Sequence, residues 1–424
     1  MACGGPPELL RPIGPVVLLG VDGLSWKVIG PGIEGGTLPA FGRLQAEGAW
    51  APDFEVVSPD SPIAWTSVAT GRAPEDHGVI SFVSQLPSGE IVPASSGERR
   101  LPALWDLATR HGRSVGVVGW WATWPVEPVN GYVVSDHANP AATGFLIEDG
   151  RYWTADPEAL TQLRLDVYPE TMAQEIGHLW STLEQTDWVA VGQSAGLTTA
   201  QLEILRSAPP NRRTPYSLWK TYYLVDRPHV SLVKERLARD STDLTMLYLR
   251  GPDPVQHYAW DLVEPERYVE PPAHLERDRG LVEAVYRTVD RYIAELLEVL
   301  PEDGWLIVAS DHGAEPASPL QGRPGGHTKS AKGVLFLWGP GARAGERLAA
   351  TSPYDLAPTI LWMLGLPLSE ELEGRVLREA FNGDLADREV DRVRSYGPRS
   401  SSGPRGSAED EVLLERLRDL GYID

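Results

Sequence analysis

Val16-Val17-Leu18-Leu19-Gly20-Val21-Asp22-Gly23 is the stretch on which the fold turns. A continuous apolar run that ends in an acidic residue and a glycine reads as a strand buried on both faces, with a polar group at its carboxyl end. Outward from it the pattern returns. Residues 115–119 form a second run and 244–249 a third, soon followed by Asp253. Residues 305–310 form a fourth, followed at once by Asp311-His312-Gly313, and 334–338 a fifth. Helical patterns lie between the runs. Residues 38–48 read as a helix closed by Gly48. Over 280–300, Val282, Val285, Val289, Ile293 and Leu296 recur at helical spacing. Strands alternating with helices predict an α/β fold with a mainly parallel central sheet flanked by helices. In such sheets the active site lies beyond the carboxyl ends of the strands, and three of these ends carry an aspartate.

The organisation follows from where that rhythm holds. A Pro/Gly-rich leader occupies 1–15, and the α/β core is predicted over 16–144 and 241–385. Residues 145–240 break the alternation. They carry helical patterns and aromatics (Trp153, Tyr168, Trp180, Trp188, Trp219, Tyr222, Tyr223) without a clear buried strand, and read as an inserted helical cap. The tail, 386–424, changes character again. Residues 394–408 are rich in Ser, Gly, Pro and Arg and read as a flexible linker. Residues 409–420 then form an amphipathic helix, with Val412, Leu413, Leu417 and Leu420 on one side.

Composition narrows the partners. The 424 residues include 59 acidic and 38 basic side chains, a formal charge of -21. A surface that negative repels nucleic-acid backbone and anionic membranes. A small phosphorylated substrate would therefore need strong local positive charge, and metal ions are a natural supply. Cys3 is the only cysteine, so no intrachain disulfide forms. No apolar run is long enough to span a membrane. Ala2-Cys3-Gly4-Gly5 resembles the end of a bacterial lipoprotein signal, although the charged and apolar parts of such a signal are missing. It points to the bacterial periplasm or outer cell surface, with Cys3 as the lipidated residue; the alternative is a chance match and a cytoplasmic protein.

The candidate chemistry sits at the strand ends. Asp22 follows the first run. Asp253 and His257 follow the third, four residues apart, so one helical turn would put them on the same face. Asp311 and His312 follow the fourth, and His327 lies in the Gly-rich segment Pro324-Gly325-Gly326-His327-Thr328. Three carboxylates and three imidazoles are enough ligands for two divalent ions, and this mixture suits zinc. Taken singly, each aspartate reads better as a helix cap or loop residue; it is the joint set that points to metal. A hydroxyl nucleophile is expected in Ser58-Pro59-Asp60-Ser61-Pro62-Ile63-Ala64-Trp65-Thr66-Ser67-Val68-Ala69-Thr70-Gly71. Ser61 before Pro62 reads as a helix N-cap with proline in the first turn, where backbone N–H groups and the helix dipole favour an anion. Thr66 is the alternative, but it lies a turn inside the helix, where its hydroxyl is expected to bond back to the main chain. His77 reads as structural, fixing the turn before Gly78. Trp120 and Trp121, just after the second run, are candidates for the wall of a substrate pocket.

Together these segments resemble the alkaline phosphatase superfamily and, within it, the type I phosphodiesterase/nucleotide pyrophosphatase family. The resemblance rests on Val21-Asp22-Gly23, Ser61 through Gly71, His77-Gly78, Asp253 with His257, Ser310-Asp311-His312-Gly313 and Gly326-His327. It implies a two-zinc hydrolase of phosphate mono- or diesters acting through a phosphoserine. It also implies that Asp253, His257 and His327 hold one ion, and that Asp22, Asp311 and His312 hold the other, with Ser61 beside it. Two features depart from nucleotide pyrophosphatases. Ser61 stands where they usually carry threonine, and Val79-Ile80-Ser81-Phe82 lacks the asparagine that follows their His-Gly turn. No sulfatase-type Ser-x-Pro-x-Arg or Cys-x-Pro-x-Arg segment surrounds Ser61. Two other readings stay open: a phosphoglycerate mutase-like phosphotransferase with the same ligands, and a metal-stabilised binding protein.

Overall fold

The computed structural model describes residues 9–138, 166–209, 213–269, 274–318, 322–399, 402–406, 410–420 and 423. Cys3 lies outside them, as does most of the leader.

Nine strands build the main sheet among the described residues. They are β1 (Val16–Val21), β2 (Ala49–Phe54), β3 (Val115–Val118), β4 (Gly131–Val134), β5 (Val167–Tyr168), β6 (Leu244–Leu249), β7 (Trp305–Ala309), β8 (Gly333–Trp338) and β9 (Glu346–Arg347). Their order is β9-β2-β8-β7-β1-β6-β3-β4-β5. The sheet is mainly parallel: β1 pairs in parallel with β6 and β7, and β3 with β4 and β6. β8 runs antiparallel to β7 and β2, and β5 antiparallel to β4.

β1 shows why these residues form a central strand. Every side chain in it is buried, and successive residues point to opposite faces. Val17, Leu19 and Val21 enter one apolar layer, with residues of helices Trp26–Glu34, Pro39–Glu47, Pro215–Arg239 and Leu281–Val299. Val16 and Leu18 enter the other, with Trp65, Leu104 and Ile360 from helices Ser61–Thr70, Leu104–Arg110 and Leu356–Met363. Each buried Val or Leu contributes roughly 1.5–3 kcal/mol, so both faces reject a polar substitution. Gly20 has no side chain for a specific reason: a Cβ there would lie 2.6 Å from the Trp65 ring. The helix that begins at Ser61 is thereby seated directly on β1.

The register brings the strand ends level. Val21 pairs with Leu249, and Gly20 with Ala309. Asp22, the segment before Asp253, and Asp311 therefore emerge side by side at one edge.

Three expectations need correction in detail. Gly48 does follow helix Pro39–Glu47, but in an extended conformation (φ -126°) rather than a left-handed one. It is needed there because a Cβ would collide with the Leu337 carbonyl of β8. The stretch 145–240 contains a strand: β5 is two residues long, too short to leave a periodic signal. In its described part the stretch also supplies helices Met172–Thr182, Trp188–Ser194, Thr199–Ser207 and Pro215–Arg239, whose apolar residues share the layer below β1. The described tail, expected to be a flexible linker, is bound by polar contacts instead. The Tyr396 hydroxyl donates to Pro367 O (2.8 Å), Arg399 N to Arg100 O (2.8 Å) and Gly403 N to Gly97 O (2.9 Å). The Arg399 side chain donates to Ser96 O and Arg99 O and pairs with Glu127. In helix Asp410–Leu420, Leu414 and Leu417 are buried. The side chains of Val412, Leu413 and Leu420 lie outside the described residues. Among those described, no helix is long and apolar enough to cross a membrane.

Candidate metal and nucleophile site

The first loop after β1 places Asp22. Its carboxylate is buried and held from two sides. Oδ2 accepts from Ser61 Oγ (3.1 Å) and from the Tyr248 hydroxyl (2.5 Å), and Oδ1 lies 3.2 Å from His312 Nε2. Helix Asp253–Ala259 begins at Asp253, and one turn on His257 brings Nε2 to 3.2 Å from Asp253 Oδ2. His312 Nε2 is 3.7 Å from Asp311 Oδ2. Gly325–Gly326 pairs with Glu315–Pro316 in a short ladder, which carries His327 over the site. Its Nε2 is 3.8 Å from Asp253 Oδ1, and its ring stacks on His312 with centroids 3.7 Å apart. The structure thus brings together all six residues singled out in the sequence.

Two groups of three offer ligand atoms that all lie within 4.8 Å of one another: Asp22, Asp311 and His312, and Asp253, His312 and His327. His312 reaches both. His257 meets the second group through Asp253. The remaining ring nitrogens are oriented by main-chain carbonyls, His257 Nδ1 by Gly325 O (3.1 Å) and His312 Nδ1 by Gly313 O (2.9 Å). Such outer partners fix ring direction in metal sites.

The donor set fits divalent cations. Both carboxylate oxygens of Asp311 are buried without a hydrogen-bond donor among the described residues. A carboxylate is acceptor-only, so a cation is its natural partner. The electrostatics agree. Burial, then the neighbouring Asp22, pushes the Asp311 carboxyl well above its ordinary range. Burial opposes charge on His312, but Asp311, Asp22 and Asp253 outweigh it and hold the imidazole well above its usual value. Burial likewise opposes ionisation of Asp253, and His257, His327 and His312 outweigh it, so its carboxyl is held well below. Burial and the adjacent His312 push His327 well down. The cluster gathers three carboxylates in a buried place, and cations bind such sets by releasing protons.

Ser61 is the first residue of helix Ser61–Thr70, with Asp60 rather than Ser61 at the N-cap position. The Ser61 hydroxyl is consequently free to turn to Asp22. Thr66 is buried a turn deeper. Its hydroxyl has no partner among the described residues; the back-bond expected of it is made by Thr70, whose Oγ1 donates to Thr66 O (2.8 Å). His77 is buried against Ser67, Nε2 to Oγ 3.0 Å, and burial pushes it down to about 3. Trp120 is fully buried, donating Nε1 to Trp65 O (3.2 Å), so it is core and offers no face to a ligand. Trp121 stands at the edge, against Phe82 and Tyr248.

Four contributors were not singled out from the sequence. Tyr248 orients Asp22. Gln256 Nε2 donates to Gly23 O (2.7 Å), and the Tyr286 hydroxyl donates to Gln256 Oε1 (2.8 Å) while accepting from Ser25 N (2.8 Å). Ser310 Oγ accepts from Leu24 N (2.7 Å) and donates to His312 O (2.9 Å). A signal existed for Tyr248, because a tyrosine within a buried aliphatic strand needs a partner for its hydroxyl.

The sequence matches the family described as type I phosphodiesterase / nucleotide pyrophosphatase over residues 16–325. The chain belongs to that family. The fold agrees with a solved relative: murine ectonucleotide pyrophosphatase / phosphodiesterase 5 superposes with a TM-score of 0.51 at 12% identity, covering 87% of this chain and 100% of that one. The same murine protein solved as an inactive form in complex with AMP gives the same TM-score. Curated relatives match over shorter stretches. The 2,3-bisphosphoglycerate-independent phosphoglycerate mutase of Cereibacter sphaeroides is 40% identical over 101 residues, 23% of this chain and 19% of that protein. The protein of the same name from Clostridium beijerinckii is 30% identical over 149 residues, 34% of this chain and 25% of that protein. The chain thus spans a quarter or less of the length of these curated relatives.

Proposed function

We propose that this family member hydrolyses phosphate mono- or diesters through a phosphoserine at Ser61. The observation that carries the reading is the hydrogen bond from Ser61 Oγ to Asp22, inside a buried cluster of three carboxylates with His312 and His327, which His257 joins through Asp253. Asp22, Asp311 and His312 would hold one divalent ion, and Asp253, His257 and His327 a second, with zinc favoured by the ligand chemistry. Two such ions lower the pKa of a hydroxyl and stabilise the entering and leaving oxygens of an in-line displacement. The chain's own part is positioning. Asp22 aims the serine oxygen, the N-terminal end of helix Ser61–Thr70 favours the incoming anion, and β1 and Trp65 fix the helix. Ser61 Oγ gives up its proton and attacks phosphorus, one ester oxygen takes up a proton and leaves as an alcohol, and water then frees Ser61, releasing phosphate from a monoester or a phosphate monoester from a diester. A nucleotide substrate is compatible, as the murine relative's AMP complex suggests.

Mass spectrometry of acid-quenched turnover mixtures tests this. A phosphopeptide containing Ser61 is expected, and Ser61→Ala should lose activity by orders of magnitude, since removing one member of a nucleophilic unit disables it. Phosphate on Thr66, or near-normal turnover by Ser61→Ala, would refute the serine mechanism.

The partial identity to phosphoglycerate mutases favours a second reading, transfer of the phosphoryl group back to substrate. Turnover in oxygen-18 water separates the two, because only hydrolysis labels the released phosphate. The motif around Cys3 supports an envelope-anchored protein; labelled palmitate should enter the wild-type chain and not Cys3→Ser.

A further inference from the structure

Arg250 follows directly on β6, at the edge where the site lies. Its guanidinium carbon is 5.9 Å from the ring centres of both Trp121 and Tyr248. The Tyr248 hydroxyl donates to the same Asp22 oxygen as Ser61, so one aromatic side chain separates the cation from the nucleophile's partner. The surroundings are fixed. Asp136 accepts from the amides of Ala122 (2.9 Å) and Trp124 (3.1 Å), which holds the loop carrying Trp121. The amides of Arg250 and Gly251 both donate to buried Asp226, at 3.0 Å each.

Like Arg113 and Arg388, Arg250 has a guanidinium nitrogen buried without an acceptor and no ion pair among the described residues; what distinguishes it is its place beside Tyr248 and Asp22. Arg99, Arg227 and Arg236 each face a carboxylate. Arg250 forms no ion pair among the described residues. Its Nη2 reaches only the Asp136 carbonyl, at 3.3 Å, and its Nη1 is buried with no acceptor. Shielding a charged donor without an acceptor is costly, and ring faces offset only part of that cost. In a chain with 59 acidic and 38 basic residues, a half-buried guanidinium without an ion pair among the described residues has capacity for an anionic partner at this site.

We propose that Arg250, walled by Trp121 and Tyr248, receives a second anionic group of the substrate, a carboxylate or a phosphate distinct from the phosphoryl group that reacts. The inference rests on the phosphoester reading above and narrows it, to phosphate esters of alcohols that are themselves anionic. The planar fork of arginine matches two oxygens of either group.

Calorimetry on the metal-loaded full chain carrying Ser61→Ala, which prevents turnover, tests it with glycerol 1-phosphate, 3-phosphoglycerate and glycerol 1,3-bisphosphate. The first has one anionic group; the others add a carboxylate or a phosphate. At least one of the latter two should bind about tenfold tighter than glycerol 1-phosphate, and which one does identifies the group. Adding Arg250→Met should bring that ratio to about one, and Arg250→Lys should retain part of it. The ratio within each protein is the readout, and the lysine variant serves if the methionine variant does not fold. Equal binding of all three ligands with Arg250 present, or a preference that survives Arg250→Met, overturns the proposal. So does equal weakening of all three, which would place Arg250 on the reacting phosphoryl group. If wild type also fails to turn over bis(4-nitrophenyl) phosphate and no ligand binds, the phosphoester reading falls with it.

Discussion

Asp290 caps a helix to which it does not belong, and its removal should have a pH-dependent cost. It sits on helix Leu281–Val299 and accepts the amide of Phe41 (2.9 Å), in the first turn of helix Pro39–Glu47. That helix has Leu38 at its N-cap, which makes no side-chain cap bond. Asp290 is 5% exposed, and burial pushes its carboxyl up to about 6, against the bonds from Phe41 and Ala40 amides that favour the charge. A carboxyl raised in the folded state binds protons more tightly there than in the unfolded chain. Its contribution is therefore fully present below the unfolded value of 3.8 and is lost as pH rises through about 6. With those two values the contribution is roughly 1–2 kcal/mol at pH 5 and about zero at pH 7.5. Asp290→Asn keeps the shape and cannot titrate. Its destabilisation should therefore be roughly 1–2 kcal/mol larger at pH 5 than at pH 7.5, while the asparagine oxygen can still accept the cap bond. Urea unfolding of both proteins at the two pH values measures this, and taking the difference between them cancels the titration of the distant site. A difference that is flat with pH, or larger at pH 7.5, would refute the reasoning.

Other outcomes follow from single contacts. Tyr248→Phe removes only the hydroxyl that orients Asp22, so metal affinity, measured by chelator competition, should fall about 10- to 100-fold; unchanged affinity would show that Asp22 is held without it. Gly20→Ala forces a methyl against Trp65 and should lower stability by about 1–3 kcal/mol, read as a drop in thermal midpoint; an unchanged midpoint would mean the helix shifts freely on β1. Elemental mass spectrometry should find about two zinc-type ions per chain, and full activity after exhaustive chelation would remove the metals from the mechanism.

The central strands were legible because burial on both faces leaves a continuous apolar run. β1 and β6 begin and end where those runs do, and β7 stops one residue short of its run. The outer strands were not. β2 reads Ala-Trp-Ala-Pro-Asp-Phe, with a proline and an acid inside it, and β5 and β9 have two residues each. Pairing to an existing edge creates such strands, and no local pattern announces them. The tail misled for a related reason. Low apolar content predicts mobility, yet Arg399 docks it through main-chain carbonyls and Glu127, partners some 300 positions away in sequence.

The site was legible at the level of ligand chemistry and not of its connections. Aspartate and histidine at the ends of buried strands are few, so their order in the chain carried the information. What holds them is a different class of residue. Tyr286 lies on the buried side of an amphipathic helix and Gln256 between two ligands, and both look like ordinary packing until their partners, Gly23 and Ser25, are known. The grouping of these side chains was equally hidden. By sequence, His257 belongs with Asp253, and by geometry it does lie against it. Yet His312 lies within reach of both groups, close to Asp22 and Asp311 on one side and stacked on His327 on the other. The two groups are thus one continuous cluster hinged on an imidazole. A change at His312 disturbs both halves together, whereas a change at His257 acts on the half that holds Asp253 and His327 and on the Gly325 carbonyl. That asymmetry comes from β1 and β7 being neighbours in the sheet, which sets Asp22 beside His312 although 290 positions separate them in the chain.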